Sequence, residues 1–128
     1  MALQEGVNLR NAKLNAINTQ LGASATLKIF SGAVPANCAA ADPTGLLLTI
    51  NLPATPFGTA SAGSIALSGS WTTSTTTAGT AQSFRIYDSS AVCQFQGNVT
   101  TDLVLNNTSI GTNQTTTVTT FTLTAGNA

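Results

Sequence analysis

Residues 82–99, QSFRIYDSSAVCQFQGNV, show the clearest alternation of apolar and polar side chains in the chain. Phe84 and Ile86 fall on one side of an extended segment, and Arg85 and Tyr87 fall on the other. The letters DSSA that follow are typical of a tight turn, and a second alternating segment comes directly after them. The stretch therefore predicts a β-hairpin with Arg85 and Tyr87 on its outer face.

The second strand of this hairpin carries one of the two cysteines of the chain. Its alternation places Cys93 with Phe95 and Val99, so we expect Cys93 to act as a small core residue. The start of the chain, MALQEGVNLRNAK, has neither the basic leader nor the apolar run of an export signal. We therefore expect Cys93 and Cys38 to be reduced thiols. A Cys38–Cys93 disulfide is the alternative, since sequence does not fix the distance between two cysteines.

Two alternating segments before the hairpin predict further strands. They are TLKIF at 26–30 and LLLTINL at 46–52, separated by a loop rich in small residues, proline and glycine. In the second segment one face is predicted to carry Leu46, Leu48, Ile50 and Leu52. Such a face is typical of a strand that covers a core.

Near the C-terminus, seven of the ten residues of TTTVTTFTLT at 115–124 are threonine. Phe121 and Leu123 alternate with threonines, which predicts a strand with hydroxyl groups on its outer face. Val118 is out of phase with Phe121. This break in the alternation predicts a bulge or a strand that changes sheets.

One segment has the spacing of a helix, QEGVNLRNAKLNAINTQLG at 4–22. Leu14, Ile17 and Leu21 share one face of that helix, and Gly22 fits its C-terminal cap. Asparagine lowers the intrinsic helix propensity, so the helix needs packing to persist. The asparagines concerned are Asn8, Asn11, Asn15 and Asn18.

Together these segments predict an all-β protein. We expect an antiparallel β-sandwich or jelly-roll-like domain preceded by one short N-terminal α-helix. The division is an N-terminal helical arm at 1–22 and a β-sandwich domain at 23–128. Trp71, the largest hydrophobic residue, is expected to close one end of the core.

Charge is scarce: 6% of the residues are charged, and the formal net charge is zero. Nucleic-acid binding needs several cations on one face, and only Arg10 and Lys13 lie close in sequence. The longest apolar run, GLLLTINL, is too short to cross a bilayer. We therefore expect neither a nucleic-acid nor a membrane partner, and a weakly charged surface favours association with other protein subunits.

The same composition argues against catalysis. The chain has no histidine, and each of its carboxylates has a turn or loop position that explains it. Cys93 has no base of the usual type, and no G-x-S-x-G motif occurs. We predict no enzyme activity, no catalytic residue, no cofactor and no metal site. Trp71 and Tyr87 could stack on a sugar, but packing roles are favoured for both.

Four stretches in order carry a resemblance to a known group of proteins. They are NLRNAKLNAINTQLGASATLKIFSG, LLLTINLPATPFGTASAGSIAL, GTAQSFRIYDSSA and DLVLNNTSIGTNQTTTVTTFTLT. The chain resembles small structural proteins of tailed bacteriophages and prophages, and FRIYDSSA and LVLNNTSI are the most specific parts. The resemblance implies a head decoration or cement protein, which sits outside the shell and bridges neighbouring capsomers.

The resemblance also sets the expected partners and location. It implies binding to the major capsid protein, as a homo-oligomer (dimer or trimer) on the capsid exterior of the virion, after synthesis in the bacterial host cytoplasm. The alternatives are a tail, neck or baseplate adaptor of the virion, or a carbohydrate-binding adhesin module. The candidate partner-binding residues are Arg10, Lys13, Leu14, Ile17, Arg85 and Tyr87.

Overall fold

The computed structural model describes residues 3–125, which form one helix followed by eleven short strands. All paired strands are antiparallel. The protein is therefore all-β and sandwich-like with one short helix, as predicted, while the jelly-roll arrangement stays a prediction. The elements are α1 (Val7–Leu21), β1 (Thr26–Phe30), β2 (Leu46–Asn51), β3 (Ser64–Ala66), β4 (Thr72–Thr73), β5 (Gly79–Thr80), β6 (Ser83–Tyr87), β7 (Cys93–Asn98), β8 (Val104–Leu105), β9 (Ser109–Ile110), β10 (Thr116–Thr120) and β11 (Thr122–Thr124).

The largest sheet has four strands in the order β2-β1-β6-β7. Its β6–β7 half is the predicted hairpin, closed by a hydrogen bond from the Ala91 N–H to the Asp88 carbonyl. β1 has the predicted bounds and pairs with β2 on one side and β6 on the other. All five residues of β6 are buried, so both faces of this strand are covered.

A bulge in β7 changes which side chains share a face. Ile86 pairs with Phe95, but Tyr87 pairs with Cys93, so Gln94 is an extra residue. An extra residue reverses the alternation beyond it. Cys93 therefore lies on the same face as Tyr87, and the prediction that it shares a face with Phe95 is wrong.

A similar irregularity affects the start of β2. Ile29 pairs with Leu48 and Phe30 pairs with Leu46, which leaves Leu47 as the extra residue. Leu47 is buried and Leu46 is exposed. The predicted apolar face is therefore correct from Leu48 onward and wrong at Leu46, because one bulge shifts the phase by one residue.

The remaining strands form three small sheets, in the orders β4-β10-β8, β11-β3 and β5-β9. The threonine-rich stretch is divided between two of them: β10 pairs with β4 and β8, and β11 pairs with β3. Phe121 lies at the junction and is buried. The predicted change of sheets is thus confirmed.

The core contains a cluster of aromatic rings around Trp71, whose side chain is 0% exposed. Its ring contacts Phe57 edge to face at 5.4 Å between centroids, and Phe121 lies 6.0 Å away. Phe84 brings the four-stranded sheet into the cluster, with its ring 5.5 Å from that of Phe121. The predicted core position of Trp71 is confirmed, and a buried indole has no face left for a sugar.

The helix has the predicted position, and Gly22 caps it with φ at 78°. Its Leu14 and Leu21 side chains are buried in the common core. The helix therefore packs on the β-structure in this chain. The division into an arm at 1–22 and a domain at 23–128 stays a prediction.

Candidate functional site

Arg85 lies beneath residues 31–45, which we call the covering loop, and its side chain is 2% exposed. Its guanidinium donates hydrogen bonds to the Asp42 carboxylate at 2.9 Å, the Asn37 carbonyl at 3.1 Å and the Gln96 side-chain oxygen at 3.2 Å. The prediction that Arg85 faces outward is wrong. The hairpin does present it on the outer face, but the covering loop folds over that face and supplies an anion and a carbonyl.

Tyr87 is also buried, in agreement with the packing role favoured for it, and its hydroxyl donates a 2.5 Å hydrogen bond to Asp42. Burial, together with this bond to an anion, raises the pKa of Tyr87 to about 12. The hydrogen bond from Tyr87 is the largest effect on the pKa of Asp42 and lowers it; burial, the next largest, raises it, and the bond from Arg85 lowers it further, so the pKa lies below its ordinary value. The ammonium of Lys28 lies 5.2 Å from the centre of the Tyr87 ring.

A disulfide joins Cys38 of the covering loop to Cys93 of β7, with 5.4 Å between their Cα atoms. The expectation of two reduced thiols is wrong, because the β7 bulge places Cys93 on the face that the loop covers. The Gln96 side chain adds a 2.8 Å hydrogen bond to the Pro35 carbonyl. Arg85 and Tyr87, with their hydrogen bonds to Asp42 and Asn37, form what we call the Arg85 cluster. The disulfide and this cluster together hold the covering loop on the sheet.

The helix binds the β-structure through asparagine side chains. Asn11, Asn15 and Asn18 follow one stripe of the helix, and their side-chain oxygens accept backbone N–H groups of the segment 57–63 at 2.8, 2.8 and 3.0 Å. Asn18 also donates to a carbonyl of that segment at 2.9 Å. We missed these residues because we considered asparagine only for its low helix propensity. Their spacing of four and three residues was the available signal.

The candidate residues of the helix have different surroundings. Leu14 is buried, and Ile17 is half-buried against the core. Arg10 lies over Gly63, where an added Cβ would come within 2.1 Å of its guanidinium. Lys13 is exposed and forms an ion pair with Glu5. The structure thus uses Leu14 and Ile17 within the chain and leaves Lys13 accessible.

Several apolar side chains near the start of the helix are exposed. Leu3, Val7 and Leu9 are 83%, 44% and 52% exposed, and Lys13 follows one turn after Leu9. Leu9 and Lys13, four residues apart, lie on one side of the helix, whereas Val7, two residues before Leu9, lies on the opposite side. We call Leu9 and Lys13 the helix-start surface. Exposed apolar side chains beside a cation are typical of a protein contact rather than of a catalytic site.

Seven of the eight charged side chains have a hydrogen bond, an ion pair or a ring contact within the fold. Asp88 accepts the N–H groups of Ser90 and Val92 in the hairpin turn, and Asp102 accepts the N–H of Asn98. Five others form the ion pairs and the ring contact already described: Lys13, Lys28, Arg85, Glu5 and Asp42. Arg10 lies over Gly63, and its buried Nε has no hydrogen-bond partner among the described residues. The fold therefore uses its few charges to fix turns, loops and strand faces.

A groove of about 310 Å³ runs between β7 and β11, and we call it the β7–β11 groove. Phe84, Phe95 and Phe121 form its apolar wall, and Asp102 and Thr122 lie among its polar lining. A second cavity of about 230 Å³ lies beside the start of β2. The first has the mixed lining that is typical of a binding site.

Between residues 3 and 125, no three histidine, cysteine or acidic side chains lie close enough to bind a metal ion together. In the same range, no helix has both the length and the apolar character of a membrane span. Comparison with protein families, with curated proteins and with solved structures found no match to this chain.

Proposed function

We propose that this chain is a structural protein of a tailed-phage virion, a capsid decoration protein that binds the outer surface of the head and bridges capsid subunits. The observation that carries the proposal is the use of charge. Seven of the eight charged side chains are engaged within the fold, while hydroxyl groups and scattered apolar side chains cover much of the exterior. A surface of this kind forms contacts that depend on shape and respond little to salt.

The internal ties of the molecule support the same role. The disulfide and the Arg85 cluster fix the covering loop, and the asparagine contacts fix the helix. A protein that bridges subunits gains affinity when its contact surfaces are ordered before binding, because less conformational entropy is lost. The partner that we propose is the major capsid protein, which the resemblance noted in the sequence implies.

The helix-start surface is the contact that we propose for that partner. It combines the exposed side chain of Leu9 with the accessible ammonium of Lys13 one turn later. On the virion we propose a homo-oligomer, a dimer or trimer, that repeats this contact on neighbouring subunits.

The disulfide bears on where the folded form is completed. Disulfides persist in oxidising surroundings and are rare in the cytoplasm. If the chain is made in the host cytoplasm, we expect the thiols of Cys38 and Cys93 to be reduced there and to be oxidised after the host cell lyses.

The test measures binding of the purified protein to phage heads that lack it. We expect saturable binding at a copy number set by the capsomers, seen by cryo-electron microscopy as density on the head exterior. Leu9→Ser should weaken binding, whereas Val92→Ser, at an equally exposed apolar position on the hairpin turn, should not. Normal head binding by the Leu9 variant would contradict the role of the helix-start surface.

The alternative within the virion is a tail, neck or baseplate adaptor. An adaptor would occur at a low copy number that follows the symmetry of the tail, and density would lie at the tail or at its junction with the head. Quantifying the chain per particle separates the two positions. Its absence from purified particles would contradict both.

A further inference from the structure

We propose that the β7–β11 groove receives an extended segment of a partner protein, which pairs as an additional strand with both walls. The inference uses the proposed function only for the source of the segment, a capsid subunit. It depends on two strand edges that face the groove, on the aromatic wall between them and on the charge at one end.

The first edge is that of β7. The Asn98 N–H and C=O bind Asp102, on the side away from β6. In an antiparallel ladder successive residues direct these groups to opposite sides. The N–H and C=O of Gln96, two residues earlier, therefore also point away from β6. The Gln96 side chain, by contrast, is held by Arg85 and Pro35.

The second edge is that of β11. The Phe121 carbonyl accepts the Leu67 N–H, and the Ala125 N–H donates to the Gly63 carbonyl. Phe121 and Ala125, the odd-numbered residues on either side of β11, therefore direct these groups toward β3. By the same alternation, the N–H and C=O of Thr122 point away from β3. Gln96 and Thr122 both line the groove, which therefore has a strand edge on each side.

The dimensions and the wall fit an extended chain. One residue of a strand occupies roughly 160 Å³ at ordinary strand and sheet spacings. The groove of about 310 Å³ thus holds about two residues, and the segment would continue beyond it. Phe84, Phe95 and Phe121 form the wall for an inward apolar side chain, while edge pairing supplies the backbone contacts.

The charge at the groove favours a cationic segment. Asp102 lines the groove, and no ion pair found within residues 3–125 includes it. One of its oxygens accepts the Asn98 N–H at 2.9 Å. A lysine or arginine next to the apolar residue of the segment would complement this carboxylate. The occupant is therefore an extended segment with an apolar residue and a neighbouring cation.

The probe is a capped synthetic peptide with alternating valine and threonine and one terminal lysine. Its length of about six residues spans the groove. It is titrated into the intact, disulfide-bonded protein, and backbone amide resonances are followed by NMR. We expect shifts and slower hydrogen exchange at the Gln96 and Thr122 amides. Shifts that avoid both amides would overturn the proposal.

One pair of variants tests the backbone contact, and one further variant, measured with two peptides, tests the charge contact. Thr122→Pro removes the N–H that faces the groove, and Thr122→Val retains it with the same side-chain shape. We expect the proline variant to lose roughly tenfold or more in peptide affinity and the valine variant to keep it. Asp102→Asn should weaken binding of the lysine peptide several-fold and leave a glutamine version of the peptide unaffected.

Equal binding by the two Thr122 variants would overturn the edge-pairing proposal, and folding of each is checked by Trp71 fluorescence. The protein could instead fail to bind the peptide but associate with itself, in a way that Thr122→Pro abolishes. That result would show that a second copy fills the groove and would overturn the choice of occupant. These measurements need no phage heads. If the protein binds the peptide but does not bind phage heads, the groove inference stands and the proposed function is contradicted.

Discussion

At the scale of single residues, Arg85 shows how a polar position in an alternating strand becomes buried. Alternation predicts which face a side chain occupies, and it placed Arg85 and Tyr87 together correctly. It does not tell what covers that face. The covering loop supplies Asp42 and the Asn37 carbonyl, and a loop without periodicity gives no sign in the sequence that it folds back onto the sheet.

The first prediction at this scale concerns Tyr87, the single tyrosine of the chain. Its pKa in the folded protein is about 12, against an ordinary 10.0. The absorbance of tyrosinate should therefore titrate near pH 12 while the protein is folded. Asp42→Asn removes the anion that helps to raise this pKa, so the midpoint should fall. A midpoint near 10 in the unmodified, folded protein would contradict the buried hydrogen bond.

The same pair predicts how stability depends on pH. The raised pKa of Tyr87 contributes stability that is fully present below about pH 10 and is lost as the pH rises to about 12. The lowered pKa of Asp42 contributes stability that is present above its unfolded pKa and is lost as the pH falls through its folded pKa. Urea unfolding across the pH range measures both losses. The Tyr87→Phe variant should not show the loss of stability at alkaline pH.

A third prediction concerns Trp71, the one tryptophan of the chain. Because its side chain is fully buried among Phe57 and Phe121, Trp71→Ala should reduce the free energy of unfolding by about 3–5 kcal/mol. Chemical unfolding followed by circular dichroism measures the loss. Leu46→Ala, at an exposed apolar position in β2, is the control and should cost much less.

At the scale of elements, sequence reasoning succeeded where periodicity was long and failed where one residue interrupts it. β1, the hairpin and the helix were predicted because each has several residues in phase. The bulges at Gln94 and Leu47 were not, since a single extra residue leaves no pattern of its own. The disulfide depends on the bulge at Gln94, so sequence reasoning offered it only as the alternative to two reduced thiols.

The helix gives the prediction at this scale. Asn15 accepts the buried N–H of Ala60, and Asn15→Ala leaves that N–H without its acceptor. We expect a loss of about 1–3 kcal/mol in the free energy of unfolding. Hydrogen exchange at Ala60 should speed up in the same variant. Asn8→Ala, at an exposed position on the same stripe, is the control and should be neutral or slightly stabilising.

At the scale of the whole molecule, the disulfide links positions 55 residues apart in sequence. Replacing Cys38 and Cys93 by serine should lower the free energy of unfolding by about 4 kcal/mol, because the unfolded chain regains the entropy of that loop. Thermal unfolding with and without the substitutions measures the effect. Equal melting temperatures would contradict a bond that forms in solution.

Reduction should also act locally. Without the disulfide, the covering loop retains its hydrogen bonds to Arg85 and Gln96, so the sheet should stay folded while the loop exchanges its amide hydrogens faster. Hydrogen-exchange mass spectrometry of the protein in dithiothreitol, compared with the oxidised form, tests this. Unchanged exchange in residues 31–45 would show that the Arg85 cluster alone holds the loop.

The change of sheets at Phe121 has a mechanical consequence. β10 and β11 are one continuous stretch of backbone, yet they pair within different sheets. For these two sheets to slide apart, the peptide bonds on either side of Phe121 would have to be put under tension. Sideways load is thus carried by covalent bonds as well as by packing, which makes this part of the body stiff in shear.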